Sequence, residues 1–348
     1  MNLNAKDLRT TLKILTGVIQ EDKTSPYLSG VLFKKWQITG GNQLMTISLP
    51  FENDLPECVL DFDTLWKMSN SLDGNLTVKE VGKAMEFKGI GGRISVPILT
   101  NVTNLYPLID KSEPHPEFIL TYDEVAEVNR LIPFIDSKLD KFGGVFYNGR
   151  YFAATFGPVV GYYTKETVTN INIGVFPEIY RALLPIKADQ FIFKNFNIKA
   201  IYEGKVVADI SYVPLQYNSP DFDVYYKNTC AVKAEVKLFD IKKLMSLLTV
   251  SVDSKLNIAD FTWMPISLIG KSNHIAENKE SEGEIDINTE GLNESMNTSF
   301  NIRFLETCLN YLASENITFH LDAPNKPVYI TSSDSDKKCL IMPFFNKQ

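Results

Sequence analysis

The sequence has few of the residues that build catalytic, metal or disulfide sites. It contains three histidines (His115, His274 and His320), and its four cysteines include no CxxC pair. A zinc site or a disulfide framework is therefore not indicated, and a reducing compartment is expected. The motifs HExxH, GxSxG and GxxxxGK[ST] are also missing. We predict that the protein is not an enzyme and that it uses no cofactor and no metal.

Long apolar runs are missing as well. No window approaches the roughly 18 consecutive apolar residues that a membrane-spanning helix needs. The N-terminal segment carries charges at Lys6, Asp7, Arg9 and Lys13, which interrupt any apolar centre of a signal peptide. We expect a cytoplasmic protein that does not interact with membranes.

The net charge has the wrong sign for a conventional nucleic-acid binder. Lysine and arginine total 35 against 42 aspartates and glutamates, which gives a formal net charge of −7. Binding to a phosphate backbone would require the positive charge to gather on one face. The 348 residues are too many for one hydrophobic core and suit two or three domains.

The chain repeats itself with a period of about 115 residues. Three segments that begin at Phe62, Phe176 and Phe300 each start with an amphipathic helix and continue into alternating strands. A second series of helical patterns opens near Lys6, Tyr122 and Lys237. The order helix, strands, helix, strands predicts an α+β fold of three tandem repeats, each with two helices packed on β-sheets. The predicted domains are residues 1–112, 113–229 and 230–348.

Periodicity supports these elements. Apolar residues recur at helical spacing in the first helix at Leu8, Leu12, Leu15 and Ile19, and again over residues 238–248 and 304–312. Alternation predicts strands at residues 76–81, 191–202 and 317–321. The polar stretch of residues 271–299 alternates well enough for an exposed hairpin. The glycines of residues 89–93 lie between strands, which indicates a turn rather than a phosphate-binding loop.

Basic residues occur on or near the predicted helices. Lys6, Arg9 and Lys13 share the helix face that points away from the leucines. The other candidate phosphate-binding cations are Lys23, Lys67, Arg130, Arg181, Lys242 and Lys243. Lysines on any single helix face are commonly there for solvation alone. Their recurrence in three repeats favours one common positive surface.

The end and the beginning of the chain resemble a known family. The terminal run FNIRFLETCLNYLASENITFHLDAPNKPVYI…CLIMPF and the opening stretch LKILTGVIQEDKTSPYLSGVLF are similar to the DNA polymerase III beta subunit, the bacterial sliding clamp. The resemblance extends in pattern over the whole chain, and its unevenness suits a phage-encoded or plasmid-encoded member. It implies the DNA clamp fold and a head-to-tail homodimer, closed into a ring. The implied function is a replication processivity factor that encircles duplex DNA without sequence preference and tethers the polymerase.

The resemblance also implies a pocket for short peptides of the polymerase and the clamp loader. The matching residues are Thr155, Gly157, Pro158, Val160, Pro220, Val224, Asn301, Phe304, Val328, Leu340, Ile341, Met342, Pro343 and Phe344. Where the family usually shows Thr-Asp-Gly-His-Arg-Leu, residues 155–160 read TFGPVV, and Val224 replaces a basic residue. These departures leave the peptide preference open. The implied subunit interface contains Ile94, Val96, Leu247 and Leu248, although Ile94 and Val96 also fit a strand buried in its own domain.

Two alternatives from other classes stay open on the sequence. One is a β-rich hydrolase built from repeats, which would need a cleft with two carboxylates about 5–9.5 Å apart. The other is a structural oligomer that does not bind DNA. Replacing Lys6, Arg9 and Lys13 by glutamate would leave replication unchanged in that case.

Overall fold

A computed structural model provides the structure of the chain. It describes residues 2–20, 25–100, 117–136, 143–165, 171–215, 220–225, 230–253, 255–274, 277, 279–333 and 336–344. The predicted domain boundary after residue 112 lies outside these residues, and so does residue 229, the last residue of the predicted second domain. Lys23 lies outside them too.

Six α-helices occur in the described part of the chain, two for each predicted repeat. They are α1 (Ala5–Leu15), α2 (Phe62–Ser71), α3 (Tyr122–Asn129), α4 (Pro177–Leu183), α5 (Leu238–Leu248) and α6 (Ile302–Leu312). The helices pack in successive pairs, α1 with α2, α3 with α4 and α5 with α6. Among the residues described, we find no helix with the length and apolar character needed to cross a membrane.

Local sequence explains where several helices begin. Leu8, Leu12 and Leu15 are fully buried on one face of α1, as their spacing predicts. The side chain of Asn4 accepts hydrogen bonds from the backbone N–H groups of Lys6 and Asp7, which have no partner inside the helix. Asp61 begins α2 in the same way and Asn301 begins α6. At α3, Thr121 and Glu124 form a reciprocal capping box.

The strands, in chain order, fill most of the remaining described residues. They are β1 (Asn2–Asn4), β2 (Gly30–Lys34), β3 (Gln37–Gly41), β4 (Met45–Pro50), β5 (Cys58–Asp61), β6 (Asp73–Val81), β7 (Ala84–Ile90), β8 (Gly92–Thr100), β9 (Phe118–Thr121), β10 (Val145–Tyr147), β11 (Tyr151–Phe156), β12 (Val159–Thr164), β13 (Ile173–Val175), β14 (Gln190–Lys194), β15 (Asn197–Tyr202), β16 (Lys205–Tyr212), β17 (Val232–Lys237), β18 (Ile258–Trp263), β19 (Ser267–His274), β20 (Lys279–Asp286), β21 (Asn288–Glu290), β22 (Met296–Asn301), β23 (Asn316–Leu321), β24 (Val328–Ser332) and β25 (Lys337–Ile341).

The chain divides into two compact units. The first comprises Met1–Asn129 and Val175–Leu215. Its strands form a twelve-stranded sheet in the order β1-β6-β7-β8-β5-β2-β3-β4-β16-β15-β14-β9. The antiparallel pair β4 and β16, with Ile47 opposite Ile210, joins strands of the first predicted repeat to strands of the second.

The second unit comprises Arg130–Gly174 and Gln216–Gln348. It contains a nine-stranded sheet, β13-β10-β11-β12-β25-β24-β23-β17-β21, and a four-stranded sheet, β20-β19-β18-β22. Here the antiparallel pair β12 and β25, with Val160 opposite Leu340, joins strands of the second predicted repeat to strands of the third. The two domain boundaries at residues 112 and 229 stay predictions, because sheets cross from one repeat to the next.

The sheet order shows that the three repeats have the same topology. Each repeat contributes one four-strand group of the pattern β1-β6-β7-β8, which recurs as β9-β14-β15-β16 and β17-β23-β24-β25. A second group of the pattern β5-β2-β3-β4 recurs as β13-β10-β11-β12 and β22-β18-β19-β20. Strand β21 is an addition to the third repeat. The predicted α+β architecture of three repeats is therefore confirmed.

The structure corrects one predicted β segment, residues 191–202, and confirms another, the hairpin in residues 271–299. The single strand predicted over residues 191–202 is wrong, because the chain turns at Asn195 and Phe196 and forms the hairpin of β14 and β15. Both turn residues have positive φ angles, 51° and 56°. The hairpin predicted in the polar stretch is confirmed by β19 and β20, which pair from Ser267 opposite Asp286 to His274 opposite Lys279.

Candidate functional sites

The cations of α1 differ in what they contact. Lys6 and Lys13 are exposed on the helix surface. The guanidinium of Arg9 instead donates hydrogen bonds to the backbone oxygens of Ser69 at 2.6 Å and Leu72 at 3.1 Å, and it pairs with Asp73 at 3.0 Å. Arg9 therefore links α1 to the C-terminal end of α2, while Lys6 and Lys13 keep their ammonium groups for an external anion.

The cations of the other helices are mostly engaged by neighbours. Lys67 pairs with Asp63 one turn away, and this hydrogen bond raises the pKa of Lys67. Arg181 lies 4.0 Å from Glu178, and Nη2 of Arg130 lies 3.5 Å from the backbone oxygen of Asn310. Lys242 and Lys243 are exposed on α5.

Positive charge is not spread evenly over the helices. α1 carries Lys6, Arg9 and Lys13 against one carboxylate, and α5 carries Lys242 and Lys243 against one carboxylate. α3 reads YDEVAEVN, with three carboxylates and no cation, because Arg130 follows the helix. Arg130, the candidate cation of this helical pattern, therefore lies after α3 and not on it. α1 and α5 are the positively charged helices of the described chain.

Most predicted pocket residues of the second unit lie in three places: the β11–β12 turn, the end of β25 and the start of α6. Val160 of β12 lies opposite Leu340 of β25, and the N–H of Met342 donates to the backbone oxygen of Pro158 at 2.8 Å. The hydroxyl of Thr155 donates to the backbone oxygen of Val159 and so supports the tight turn of β11 and β12. Gly157 has a φ of 54° in this turn, a conformation that favours glycine.

An apolar patch covers this junction. It consists of Phe156, Pro158, Phe304, Met342 and Phe344, and we use the name apolar patch for these five residues. The rings of Phe156 and Phe304 lie 5.6 Å apart between centroids. Met342 is 39% exposed and Phe344 is 42% exposed. The N–H of Phe344 donates to the backbone oxygen of Ser299 on β22 and holds the C-terminal segment in place.

Other predicted pocket residues form the support below the patch. Thr155, Val160, Val328, Leu340 and Ile341 are buried. Pro343 is half-buried between two exposed residues. The buried side chains pack in the interior of the unit, whereas Met342, Phe344 and the half-buried rings of Phe156 and Phe304 are accessible to a partner. Phe156 was noted as a departure from the family pattern and was not a predicted site residue. Its contact with Phe304, 148 residues later in the chain, could not be inferred from the sequence.

Asn301 has a structural role at this junction. Its Oδ1 accepts from the N–H groups of Arg303 and Phe304, and its Nδ2 donates to the backbone oxygen of Leu256. The side chain thus begins α6 and fixes the position of Phe304, which is the first large ring of that helix.

A short turn packs on β12, the strand that carries Val160. Phe222 of the 3-10 turn Phe222–Tyr225 packs against Tyr162, two residues after Val160 on β12. Tyr151 donates its hydroxyl to Asp223 at 2.6 Å, and burial together with this bond raises the pKa of Tyr151. Pro220 is half-buried at the start of this segment, and the side chain of Val224 lies outside the described part.

Two sheet edges hold the predicted interface residues. Residues 92–97 of β8 pair with β7, whereas β5 pairs only with residues 98 and 100 of β8. β20 is the outer strand of the four-stranded sheet. Val96 and Leu248 are buried within their own units, Ile94 is half-buried, and Leu247 is 43% exposed. Leu247 lies against Gly283 of β20, where an added Cβ would approach its Cδ2 to 2.8 Å.

Comparison with solved structures shows that this is the fold of the bacterial DNA polymerase sliding clamps. The chain aligns over 99% of its length with 99% of the DNA polymerase III subunit beta from Pseudomonas aeruginosa, at a TM-score of 0.85 and 16% identity. It aligns over the same shares with the DNA polymerase III beta subunit from Thermotoga maritima, at a TM-score of 0.85 and 15% identity. A P. aeruginosa sliding clamp with ligand gives a TM-score of 0.86 at 16% identity.

The last third of the chain also matches a family in sequence. Residues 231–345 match the family described as DNA polymerase III beta subunit, C-terminal domain. No curated protein matches the chain in sequence. The matched range contains α5, α6 and three residues of the apolar patch, Phe304, Met342 and Phe344, whereas Phe156 and Pro158 precede it.

Proposed function

We propose that the protein is a DNA sliding clamp, a non-catalytic processivity factor that encircles duplex DNA and tethers a DNA polymerase. The family match of residues 231–345 carries this proposal, and the fold agrees with it over the whole chain. The protein has no reaction of its own, so the hydrolase alternative is not retained. Its place of action is the cytoplasm, where it meets DNA; a phage origin stays a prediction.

The topology of the repeats supports a head-to-tail dimer. β4 and β16 pair across the first two repeats, and β12 and β25 pair across the next two. The equivalent strands that remain are β20, the counterpart of β4 and β12, and β8, the counterpart of β16 and β25. Pairing β20 of one copy with β8 of another therefore repeats the same junction. Two copies joined twice in this way close a ring of six repeats and cover both edges.

The charges of these edges favour this pairing over pairing of like edges. β20 exposes the carboxylates of Glu280, Glu282, Glu284 and Asp286. On the other edge, Arg93 of β8 lies opposite Lys88 of β7, and both side chains are exposed. Two β20 edges would bring carboxylates together, whereas β20 against β8 brings opposite charges together.

The exposed lysines of α1 and α5 support sliding along the duplex. Lys6, Lys13, Lys242 and Lys243 attract phosphates without reading base edges, so the protein stays near the duplex without being fixed at one sequence. A closed ring then needs no high affinity, because retention is topological. The apolar patch binds the peptides of the polymerase and the clamp loader.

Retention on circular DNA tests the proposal. The purified protein is loaded onto a nicked circular plasmid by a bacterial clamp loader and separated from free protein by gel filtration in high salt. We expect the protein to remain on the circle and to leave when a restriction enzyme linearises the plasmid. Equal retention on linear and circular DNA would contradict a topological clamp.

A further inference from the structure

We propose that the exposed face of α5 binds single-stranded DNA, with the ring of Phe239 stacked on an unpaired base and Lys242 and Lys243 bound to neighbouring phosphates. This inference rests on the proposed function, because it concerns the DNA that the clamp encircles. It adds a contact to bases, which the attraction of lysines for phosphates does not supply.

Phe239 lies on the surface of α5 and not in its packed face. It is the second residue of the helix, and it is 75% exposed. The packed face of the helix consists of Ile241, Leu244, Met245 and Leu248, which are buried. Phe239 is about 200° of rotation away from Ile241, so its ring points away from this face. Packing within the unit therefore does not account for an aromatic residue at this position.

Two lysines share the face of Phe239. One helical turn further along, Lys242 and Lys243 lie on either side of Phe239, at about 60° and about 40° of rotation. Ser246 follows between them, and all three residues are exposed. Within the described part of the chain neither ammonium group forms an ion pair. We use the name α5 face for Phe239, Lys242, Lys243 and Ser246.

Carboxylates lie beside the α5 face and not on it. On one side of the helix, a recess is lined by Glu235, Lys237, Asp240 and Asp286. On the other side, Glu306 of α6 lines the groove between α5 and α6. Both sides repel a polyanion, whereas the lysines of the α5 face attract it. A DNA strand is therefore favoured along the helix axis, where it passes over the ring.

The other repeats show that the position of Phe239 is a surface position. The first helices of the three repeats are α1, α3 and α5, and their second residues are Lys6, Asp123 and Phe239. Lys6 is exposed, and in the proposed function its ammonium group attracts phosphates. Phe239 therefore occupies a position that faces DNA in the proposed ring. A phenyl ring gains nothing from a phosphate, so its contribution has to come from a base.

The chemistry of the α5 face favours unpaired strands. In a duplex, each base pair is covered by its neighbours, and a protein helix reaches only phosphates and base edges. In a single strand the faces of the bases are accessible, and they stack on aromatic side chains with little dependence on sequence. Lys242 and Lys243 bind the phosphates of either form. The ring of Phe239 should therefore contribute to the binding of single strands alone.

Fluorescence anisotropy with the full-length protein measures this contribution. The probes are a fluorescein-labelled oligothymidylate, an abasic strand of the same length, which keeps the phosphates without the bases, and a duplex of that length. We expect Phe239→Ala to weaken binding of the oligothymidylate about fivefold or more, because one stacked base is lost. Binding of the abasic strand and the duplex should change less than about twofold, since their phosphate contacts remain. Lys242→Ala with Lys243→Ala should weaken binding of all three probes.

Two further substitutions at Phe239 separate stacking from general apolar contact. Phe239→Trp keeps an aromatic face and should retain the affinity for the oligothymidylate, whereas Phe239→Leu should behave like Phe239→Ala. The matched control is Ile266→Ala, because Ile266 is a 77% exposed apolar residue of the same unit. We expect Ile266→Ala to leave the binding of all three probes unchanged.

Three results would overturn the proposal. They are equal affinity of the wild type for the oligothymidylate and the abasic strand, an equal loss with Ile266→Ala, and monomers in analytical ultracentrifugation of Phe239→Ala, which would place the ring in the subunit interface. Retention on circular DNA is measured on the same preparations. A protein that is retained on the circle but does not distinguish the two single strands contradicts this inference alone, whereas failure of retention contradicts the proposed function.

Discussion

Arg9 Nη2 lies 3.0 Å from Oδ1 of Asp73, directly after the C-terminal end of α2. The same guanidinium donates to the backbone oxygens of Ser69 and Leu72, which have no partner within the last turn of a helix. A residue whose position on α1 suggests contact with DNA thus holds two helices together. Its neighbours Lys6 and Lys13 remain available for phosphates.

Replacing Arg9 by alanine should destabilise the first unit rather than weaken DNA contact directly. The substitution removes two hydrogen bonds to partly buried backbone oxygens and an exposed ion pair with Asp73, so we expect a loss of about 1–3 kcal/mol in the free energy of unfolding. Urea denaturation followed by circular dichroism measures this loss. Lys13→Ala on the same helix should change stability by less than about 0.5 kcal/mol. Equal stability of both variants would contradict the structural role of Arg9.

Reversing the charge of Lys6 and Lys13 together should weaken contact with duplex DNA. The slope of log affinity against log salt concentration is negative, and each lost phosphate contact reduces its magnitude by about 0.9. Affinity of the unloaded protein for a linear duplex, measured by anisotropy across a salt series, reports this slope. The matched control is Lys199→Glu with Lys205→Glu, two exposed cations on β15 and β16 of the same unit. If the control weakens binding as strongly, DNA contact is not localised on α1.

Periodicity predicted the parts of the fold that depend on local sequence. The apolar positions of α1, α5 and α6 are buried on one face each, because helical spacing and burial obey the same geometry. The hairpin of β14 and β15 was missed because Phe196 occupies a left-handed turn position that is usually taken by glycine or asparagine. A bulky residue there gives no turn signal.

The site was less predictable, because side-chain partners far apart in sequence decide it. The helical face of Arg9 followed from spacing, but its acceptors Ser69 and Leu72 lie 60 or more residues away, at the C-terminal end of α2. Asn301 was predicted as a pocket residue, yet its side chain begins α6. The predicted interface residues Val96 and Leu248 are buried, since alternation alone does not say whether a neighbouring element covers a strand. Their assignment to an interface stays a prediction.

Reversing the charges of the β20 edge or of the β8 edge alone should prevent dimer formation. Reversing both edges in one chain should restore the dimer. Glu280→Lys with Glu282→Lys and Glu284→Lys places cations on β20 opposite the cations near β8, so we expect monomers in analytical ultracentrifugation. Arg93→Glu with Lys88→Glu should have the same effect through β8. Combining all five substitutions in one chain restores opposite charges and should restore the dimer. A combined variant that stays monomeric would argue against pairing of these two edges.

Asn301→Ala should lower stability through the start of α6. Loss of an N-cap side chain costs about 1 kcal/mol, and the lost bond to Leu256 adds to this cost. Asn301→Asp retains the acceptor for Arg303 and Phe304 and should recover most of the loss. Asn301→Ala should weaken peptide binding only indirectly, because it shifts the position of Phe304. Phe304→Ala, which removes a patch ring directly, should reduce peptide binding more while the dimer persists.

Lys338 gives the structure a pH dependence of defined sign. Burial of its side chain lowers the pKa of the ammonium to about 8 from 10.5, although the ring of Tyr329 at 4.7 Å partly favours the charged form. Between these two values the unfolded chain binds more protons than the folded chain, so the contribution of Lys338 to stability rises with pH. Below about pH 8 the buried charge is a full cost.

Urea titrations of the wild type and Lys338→Met at several pH values test this dependence. The free energy of unfolding of the wild type minus that of the variant should increase from about pH 8 to about pH 10.5 and level off on either side. Lys199→Met, a substitution of an exposed lysine, gives the baseline for the loss of one ammonium. A difference for Lys338→Met that follows this baseline at every pH would show that the Lys338 ammonium is solvated in the folded protein.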